Sequence, residues 1–365
     1  MPRMRIAVDA RSLAGARTGV GRTLEGLYDA LLRLFPGDSC VFLSPRPLSL
    51  PALLEGRVEV VPPARPRLPG TFWLQTVAPI EARRAGADLF HGPLGVLPIA
   101  SPLPGVATVH DLTPVLFPEW HDRKNVAGFA PLLPSTVRKA RALVCVSRST
   151  RDDLLLACPE AAGKAHVVPN GLVPPPPVTA TEPCRPRPYV LSISTLEPRK
   201  NHERLVAAME SIWDRRPDFP DLVLAGGDGW GMPRFRDRLR RSRHAGRIDA
   251  PGWVSPETAA ALLRSARLFA YPSLYEGFGL PALEAMAEGI PVVASSSSSL
   301  PEVVGDAGLL PDPTDVSAIA AALERAHDDA AFRTTAARAG RERAALFTWD
   351  AAARRTRELF EEALS

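Results

Sequence analysis

Short apolar runs alternate along the chain with longer segments in which apolar residues recur every three or four positions. The first run lies within Arg5–Asp9 and is followed by Leu24, Leu27 and Leu31 at helical spacing. Further runs lie at 40–43, 58–61, 142–147, 189–194, 222–226, 268–271 and 290–294. Uninterrupted apolar runs are typical of parallel strands that are buried on both faces. The pattern therefore predicts an α/β protein of alternating strands and helices.

Length and proline content divide this α/β chain in two. The chain has 365 residues, more than a single domain usually contains. A proline-rich stretch begins at residue 174, and proline cannot continue a helix or donate to a sheet ladder. We therefore predict an N-terminal domain at 1–172, a semi-rigid linker at 173–188 and a C-terminal domain at 189–348.

The stretch 268–302 has the most informative pattern in the chain. A strand at 268–271 is followed by a glycine-containing loop, and a helix then begins near Pro281 and ends before Gly289. Unpaired amides and the helix dipole make such a helix start an anion site. The residues that offer these amides are Gly277, Phe278, Gly279 and Leu280.

Two carboxylates flank the predicted anion site. Glu276 precedes the amides and Glu284 lies about one turn into the helix. Carboxylates repel a phosphate, but they accept hydrogen bonds from sugar hydroxyls on either side of a diphosphate. This arrangement favours a nucleotide-sugar, with Glu276 toward the donated sugar and Glu284 toward the ribose. The alternative is that Glu284 is helix surface and Glu276 only interacts with the helix dipole.

The segment Glu-Gly-Phe-Gly-Leu-Pro-x-Leu-Glu-Ala-Met-Ala-x-Gly-x-Pro-Val, from Glu276, contains Glu276-x7-Glu284. It resembles the signature of family 4 retaining glycosyltransferases, and most closely their bacterial mannosyltransferase-like branch. The resemblance implies the GT-B fold, with two Rossmann-like β/α/β domains facing a central cleft. It also implies that a C-terminal helix at 349–365 crosses back to the N-terminal domain.

Two cations follow the first strand of the C-terminal domain. Arg199 and Lys200 precede a helix that Asn201 is predicted to cap, and cations there neutralise a diphosphate leaving group. The alternative is a solvated Arg-Lys pair. The segment resembles the phosphate-binding segment of the family, although many members have Arg at the position of Thr195. The resemblance also places Val254 beside the nucleotide base, through its backbone.

The N-terminal half contributes a glycine loop and a histidine. Gly19 and Gly21 precede the first helix, and His110 follows a strand with Asp111 as its predicted orienting partner. A tight turn and a structural histidine are the alternatives. By resemblance, Gly19 and Gly21 approach the donor diphosphate and His110 reaches the donor sugar.

The resemblance implies front-side attack with retention, in which the leaving phosphate oxygen accepts the proton of the acceptor. Glu276, His110, Arg199 and Lys200 are the predicted catalytic residues. No Asp-x-Asp metal clamp and no metal-type cysteine spacing occur in the sequence, so we expect no metal site, no obligatory metal and no cofactor. A glycosidase, a sugar-nucleotide epimerase and a non-catalytic sugar-nucleotide-binding protein are the rival classes.

The resemblance favours transfer of a hexose, mannose from GDP-mannose, and by analogy the acceptor is a glycan or lipid-linked oligosaccharide in cell-surface polysaccharide biosynthesis. A UDP- or dTDP-sugar is the alternative donor. The net charge is +4, and the sequence has no runs of basic residues interleaved with aromatics, as a nucleic-acid-binding protein would require. We therefore do not expect nucleic acid as a partner. Basic and apolar residues mix at 121–141, as in a membrane-surface patch or an ordinary helix. We expect a cytoplasmic protein, or one peripheral at the inner face of the plasma membrane.

Overall fold

A parallel sheet organises each half of the chain. The computed structural model describes residues 3–15, 19–62, 68–120, 126, 128–173, 185, 187–229 and 232–365. The chain divides into two units, Met1–Gly171 with Phe347–Ser365, and Leu172–Leu346. Most of the predicted linker at 173–188 lies outside the described residues.

The first unit has a parallel sheet of order β3-β2-β1-β4-β5-β6-β7 over its described residues. The strands are β1 (Arg5–Asp9), β2 (Ser39–Leu43), β3 (Glu59–Val60), β4 (Leu89–Gly92), β5 (Gly105–Val109), β6 (Ala140–Cys145) and β7 (Ala165–Val167). The helices include α1 (Gly19–Leu34), α2 (Gly70–Thr76), α3 (Ala78–Arg84), α4 (Thr113–Leu116), α5 (Leu133–Lys139) and α6 (Arg148–Ala157).

The second unit has a parallel sheet of order β10-β9-β8-β11-β12-β13 over its described residues. The strands are β8 (Tyr189–Ile193), β9 (Asp221–Ala225), β10 (Ile248–Gly252), β11 (Leu268–Tyr271), β12 (Val292–Ala294) and β13 (Gly308–Leu309). The helices are α7 (His202–Arg215), α8 (Met232–Arg241), α9 (Pro256–Ser265), α10 (Leu280–Ala287), α11 (Leu300–Val304), α12 (Val316–Asp328) and α13 (Ala330–Ala344).

The C-terminal helix α14 (Trp349–Leu364) packs against α1 of the first unit. Its Leu359 and Phe360 are fully buried in the same apolar core as Leu24 and Tyr28. Burial of each large apolar side chain contributes about 1.5–3 kcal/mol, so α14 is an integral part of the first unit.

The strand order places a crevice at the carboxyl edge of each sheet. In the first sheet the order reverses between β1 and β4, and in the second between β8 and β11. Connections after two such neighbouring strands leave toward opposite faces and open a crevice between them. The loop after β8 carries Arg199 and Lys200, and the loop after β11 carries Glu276.

Candidate active site

Glu276 is at the centre of an ion cluster in the second unit. Lys200 Nζ donates to Glu276 Oε1 at 2.6 Å, and Arg199 Nη1 donates to Glu276 Oε2 at 3.0 Å. Arg199 also pairs with Glu197 at 2.8 Å, and Lys200 donates to the Tyr271 hydroxyl at 3.0 Å. Glu276 is 6% exposed and Lys200 8%. Two cations and two carboxylates therefore meet where β8 and β11 end.

The cluster keeps Glu276 ionised. Burial alone would raise the pKa of Glu276, but the charges of Lys200 and Arg199 oppose it and hold the pKa at about 2. Burial lowers the pKa of Lys200, although the charge of Glu276 counteracts that shift. Burial also raises the pKa of Tyr271 well above its usual value, so its hydroxyl stays neutral. Near neutral pH the side chain of Glu276 is a carboxylate.

The cation segment makes its contacts within the protein. Arg199 and Lys200, which are predicted to neutralise a diphosphate, both donate to Glu276. Asn201 is the N-cap residue of α7, as predicted, but it takes a left-handed conformation (φ 61°) and its side chain makes no cap bond. Its Nδ2 instead donates to the carbonyl oxygens of Pro272 (2.9 Å) and Pro313 (2.7 Å). Asn201 thus joins the end of β8 to the loop of Glu276.

The glycine loop forms the start of α10. Gly279 is the N-cap of this helix with φ of 107°, a conformation that glycine adopts without steric cost. A Cβ atom at Gly279 would also lie 2.6 Å from Leu300 Cδ2. Gly277, Phe278 and Gly279 thus lead from Glu276 into α10, whose first residue is Leu280. Helix α10 ends at Ala287, and Gly289 follows with φ of 73°.

Three further donor-site predictions fall in the second unit. Glu284 is half-buried on α10, one turn after the amides. Thr195 is exposed in the loop after β8. Val254 is half-buried beyond β10 and precedes Ser255, the N-cap of α9. Of the site residues predicted in the second unit, Glu276, Arg199 and Lys200 are the ones that the structure brings into direct contact with one another.

Sequence reasoning missed the contacts of a serine segment, Ser297–Ser299, which follows β12 and bonds to the Glu276 loop. The Glu276 amide donates to Ser298 Oγ at 2.8 Å. Ser299 Oγ lies 2.8 Å from the carbonyl oxygen of Glu276 and 2.9 Å from that of Phe278. The sequence Ser299-x-x-Glu302 has the spacing of a capping box, but the Ser299 hydroxyl makes no cap bond to α11. These contacts depend on β11 and β12 being neighbours in the sheet, which the local sequence does not reveal.

The first unit holds His110, Gly19 and Gly21. His110 is half-buried after β5, and its Nε2–H donates to the carbonyl oxygen of Pro93 at 2.9 Å. The orienting role predicted for Asp111 is wrong, because Asp111 Oδ1 accepts from the Thr113 amide and hydroxyl at the start of α4. Burial lowers the pKa of His110, so the ring is neutral near pH 7.

The glycines lie within α1 rather than in the predicted loop, because the helix begins at Gly19. A Cβ atom at Gly21 would lie 2.9 Å from the carbonyl oxygen of Ser12, whereas one at Gly19 would meet no atom within 4 Å. Gly21 is therefore required for the close approach of α1 to the segment after β1.

Sequence reasoning also missed an ion pair at the end of β1. The carboxylate of Asp9 is fully buried, and Arg11 Nε and Nη2 donate to it at 2.8 and 2.7 Å. Asp9 ends the first strand and Arg11 lies just after it. The sequence Asp-x-Arg at the carboxyl end of a strand was therefore the signal that could have predicted this bidentate pair.

The described residues contain no group of three or more His, Cys, Asp and Glu side chains that could hold a metal ion. Within the same part of the chain, no helix has the length and apolar character needed to cross a membrane.

Family models match both units. Residues 17–174 match the model described as Glycosyltransferase Family 4, and residues 182–343 match Glycosyl transferases group 1. The O-antigen chain mannosyltransferase B of Escherichia coli is 35% identical over 72% of this chain and 71% of its own. The MMP alpha-(1->4)-mannosyltransferase of Mycolicibacterium hassiacum is 31% identical over 81% of this chain and 76% of its own.

Solved structures share the fold at lower identity. WaaG, described as a glycosyltransferase involved in lipopolysaccharide biosynthesis, has a TM-score of 0.75 at 14% identity and covers 98% of this chain and 99% of its own. Anabaena Alr3699/HepE, solved in complex with UDP-glucose, has a TM-score of 0.75 at 18% identity with the same coverage. These similarities show the architecture alone.

Proposed function

Since this chain belongs to glycosyltransferase family 4 and is a glycosyltransferase, we propose that it transfers mannose from GDP-mannose with retention of configuration. The acceptor is a glycan or a lipid-linked oligosaccharide of a cell-surface polysaccharide. Support for mannose comes from the names of two relatives, the O-antigen chain mannosyltransferase B and the MMP alpha-(1->4)-mannosyltransferase. A UDP- or dTDP-sugar is the alternative, because HepE was solved with UDP-glucose.

The observation that carries this proposal is the buried contact of Glu276 with Lys200 and Arg199 beside the amides of 277–280. A glycosidase needs two carboxylates but no cations for a diphosphate. Here the cations and the helix start supply positive charge for the two phosphates, and the carboxylate supplies negative charge for the sugar. The proposed site thus offers positive charge to the diphosphate and negative charge to the sugar, the two groups joined by the bond that breaks.

In the proposed reaction the bond between the anomeric carbon and the diphosphate oxygen breaks while the acceptor oxygen bonds to that carbon on the same face. The leaving phosphate oxygen takes the proton of the acceptor hydroxyl. Ionised Glu276 stabilises positive charge at the anomeric carbon, and Arg199 and Lys200 stabilise the departing diphosphate. Glu284 binds the ribose, Thr195 and Val254 line the nucleotide, and Gly19, Gly21 and neutral His110 approach the donor. No step uses a metal ion.

Turnover of GDP-mannose and of UDP-, dTDP- and ADP-sugars by the purified protein tests the proposal. We expect release of GDP alone, equal in EDTA and in Mg²⁺, and at least about 100-fold slower in Glu276→Gln. Glu342→Gln is the matched control, because Glu342 is exposed on α13. Release of UDP or dTDP instead of GDP would show that the donor is a UDP- or dTDP-sugar and not GDP-mannose. Binding without release, also with lipid-linked acceptors added, would indicate the non-catalytic alternative.

We also propose peripheral contact with an anionic membrane through α2 and α3 of the first unit. The patch predicted at 121–141 lies partly outside the described residues. Phe72 and Ile80 are 56% and 51% exposed, and Ile80, Arg83 and Arg84 line a cavity of about 590 Å³. An exposed apolar side chain beside two arginines, as at Ile80, suits an anionic headgroup layer, and Phe72 adds a second exposed apolar side chain on α2.

Sedimentation with vesicles tests this membrane contact. We expect the protein to bind vesicles of anionic phospholipid and not those of phosphatidylcholine alone. Phe72→Ser with Ile80→Ser weakens the binding and leaves turnover of a soluble acceptor unchanged. Equal binding by the variant would place the contact elsewhere.

A further inference from the structure

Two residues with a left-handed backbone hold the loop that carries Glu276. Among the described residues, the non-glycine positions with positive φ are Asn201 (61°) and Ser298 (52°). Asparagine tolerates this conformation, whereas for serine it is unfavourable, and such strain persists where the surrounding structure enforces it. Both residues bond to the same loop, 272–279, although they follow different strands, β8 and β12.

Each of these residues holds one side of the loop. Asn201 is buried and its Nδ2 binds the carbonyl oxygen of Pro272, where the loop leaves β11. Ser298 Oγ accepts the amide of Glu276 itself. Ser299 Oγ lies within hydrogen-bond distance of the carbonyl oxygens of Glu276 and Phe278, and Ser297 Oγ donates to that of Leu274 at 2.9 Å. Side chains thus bind backbone groups along the loop, from Pro272 to Phe278.

Glycine would adopt the conformation of Ser298 without strain, but it would lack the hydroxyl that binds Glu276. We propose that Ser298 and Asn201 are positioning residues, which fix the backbone on either side of Glu276 and thereby aim its carboxylate. Lys200 and Arg199 then hold the other end of the same side chain. The catalytic consequence rests on the role proposed above for Glu276, whereas the backbone contacts do not.

Ser298→Gly separates positioning from stability. The substitution relieves the left-handed strain, so we expect a melting temperature equal to or above that of the parent. It removes the acceptor of the Glu276 amide, so hydrogen exchange of that amide accelerates on the order of tenfold. We expect kcat to fall on the order of tenfold, with KM for the sugar-nucleotide within about twofold. Ser298→Ala shows the same loss of kcat without the gain in stability.

Ser296→Gly is the matched control, since Ser296 is exposed in the same serine run. It leaves exchange at Glu276 and kcat unchanged. Unchanged exchange in Ser298→Gly, or faster exchange with unchanged kcat, would overturn the inference. So would a loss of kcat that follows a lower melting temperature. If the parent turns over no sugar-nucleotide, the proposed function fails, and exchange at the Glu276 amide still decides whether Ser298 holds the loop.

Discussion

At the scale of single residues, the chemistry of the site depends on how Glu276 is kept charged. Lys200 and Arg199 replace the water that a surface carboxylate would have. Removal of one partner from such a buried pair leaves charges unpaired, which costs about 3–5 kcal/mol. The pairing therefore makes Glu276 important for stability as well as for the proposed reaction.

Stability of Glu276→Gln relative to the parent should depend on pH. The pKa of Glu276 is about 2 in the folded protein, below its ordinary value of 4.5. Its contribution to stability is present above pH 4.5 and is lost as the pH falls toward 2. We expect the parent to be more stable than Glu276→Gln at pH 7. The gap, meaning the difference between their free energies of unfolding, should narrow by at most about 3 kcal/mol between pH 5 and 2.

Urea unfolding of both proteins across this range measures the gap. Glu342→Gln, an exposed substitution, should show a gap near zero at every pH. A gap for Glu276→Gln that stays constant down to pH 2 would contradict the assigned ion cluster.

The sequence predicted the candidate site residues but not the contacts between them. Glu276, Arg199 and Lys200 were found because each stands in a loop after an apolar run. Their pairing depends on β8 and β11 being neighbours, which no local pattern encodes. Asn201 and Ser299 were assigned caps from local motifs, and in both cases bonds to the Glu276 loop replaced the cap. Local hydrogen-bond rules fail where tertiary partners compete for the same side chain.

At the scale of elements, one glycine controls how α14 meets α1. A Cβ atom at Gly26 would overlap the indole ring of Trp349, the first residue of α14. Helix propensity alone predicts that alanine at position 26 stabilises α1 by up to about 1 kcal/mol. The contact reverses this expectation.

Gly26→Ala should destabilise the protein by about 1–3 kcal/mol, because the added methyl overpacks the contact with Trp349. Thermal unfolding measures the change. Gly246→Ala is the control, since a Cβ atom there meets nothing within 4 Å. A higher melting temperature for Gly26→Ala would show that propensity dominates and that α14 packs more loosely than described.

Most elements lie where the hydrophobic pattern placed them, and the exceptions have physical causes. Strand β10 was missed because Ile248–Gly252 contains Asp249 and Pro251 and has no apolar run. It is an edge strand, where a missing amide donor is tolerated. Helix α1 begins at Gly19, although glycine at two of its first three positions favoured a loop.

At the scale of the whole molecule, the predicted GT-B fold is confirmed, with a Rossmann-like parallel sheet in each unit. The apolar runs were sufficient to predict the fold class, and the Glu276-x7-Glu284 motif was sufficient to predict the family. The acceptor was not predictable, because the loops of the first unit, to which the resemblance assigns acceptor binding, carry no shared motif.

Phe360→Ala should destabilise the first unit selectively. The side chain is fully buried, so its loss costs about 3–5 kcal/mol. Hydrogen exchange should accelerate in β1 and β4 while β8 and β11 remain protected. Leu364→Ala is the control, at a position that is 41% exposed on the same helix, and it should change neither the stability nor the hydrogen exchange of the first unit. Equal acceleration in both units would show that they unfold as one.

The path of the chain also dictates an order of events on the ribosome. The second unit is one continuous stretch, whereas the first is completed by a helix that is translated after it. While the second unit emerges and folds, the nascent first sheet still lacks Leu359 and Phe360 and exposes the apolar surface that they cover. Folding of successive domains usually proceeds from the N-terminus. Here the unit that emerges first is completed last, and part of its apolar core stays uncovered until α14 arrives.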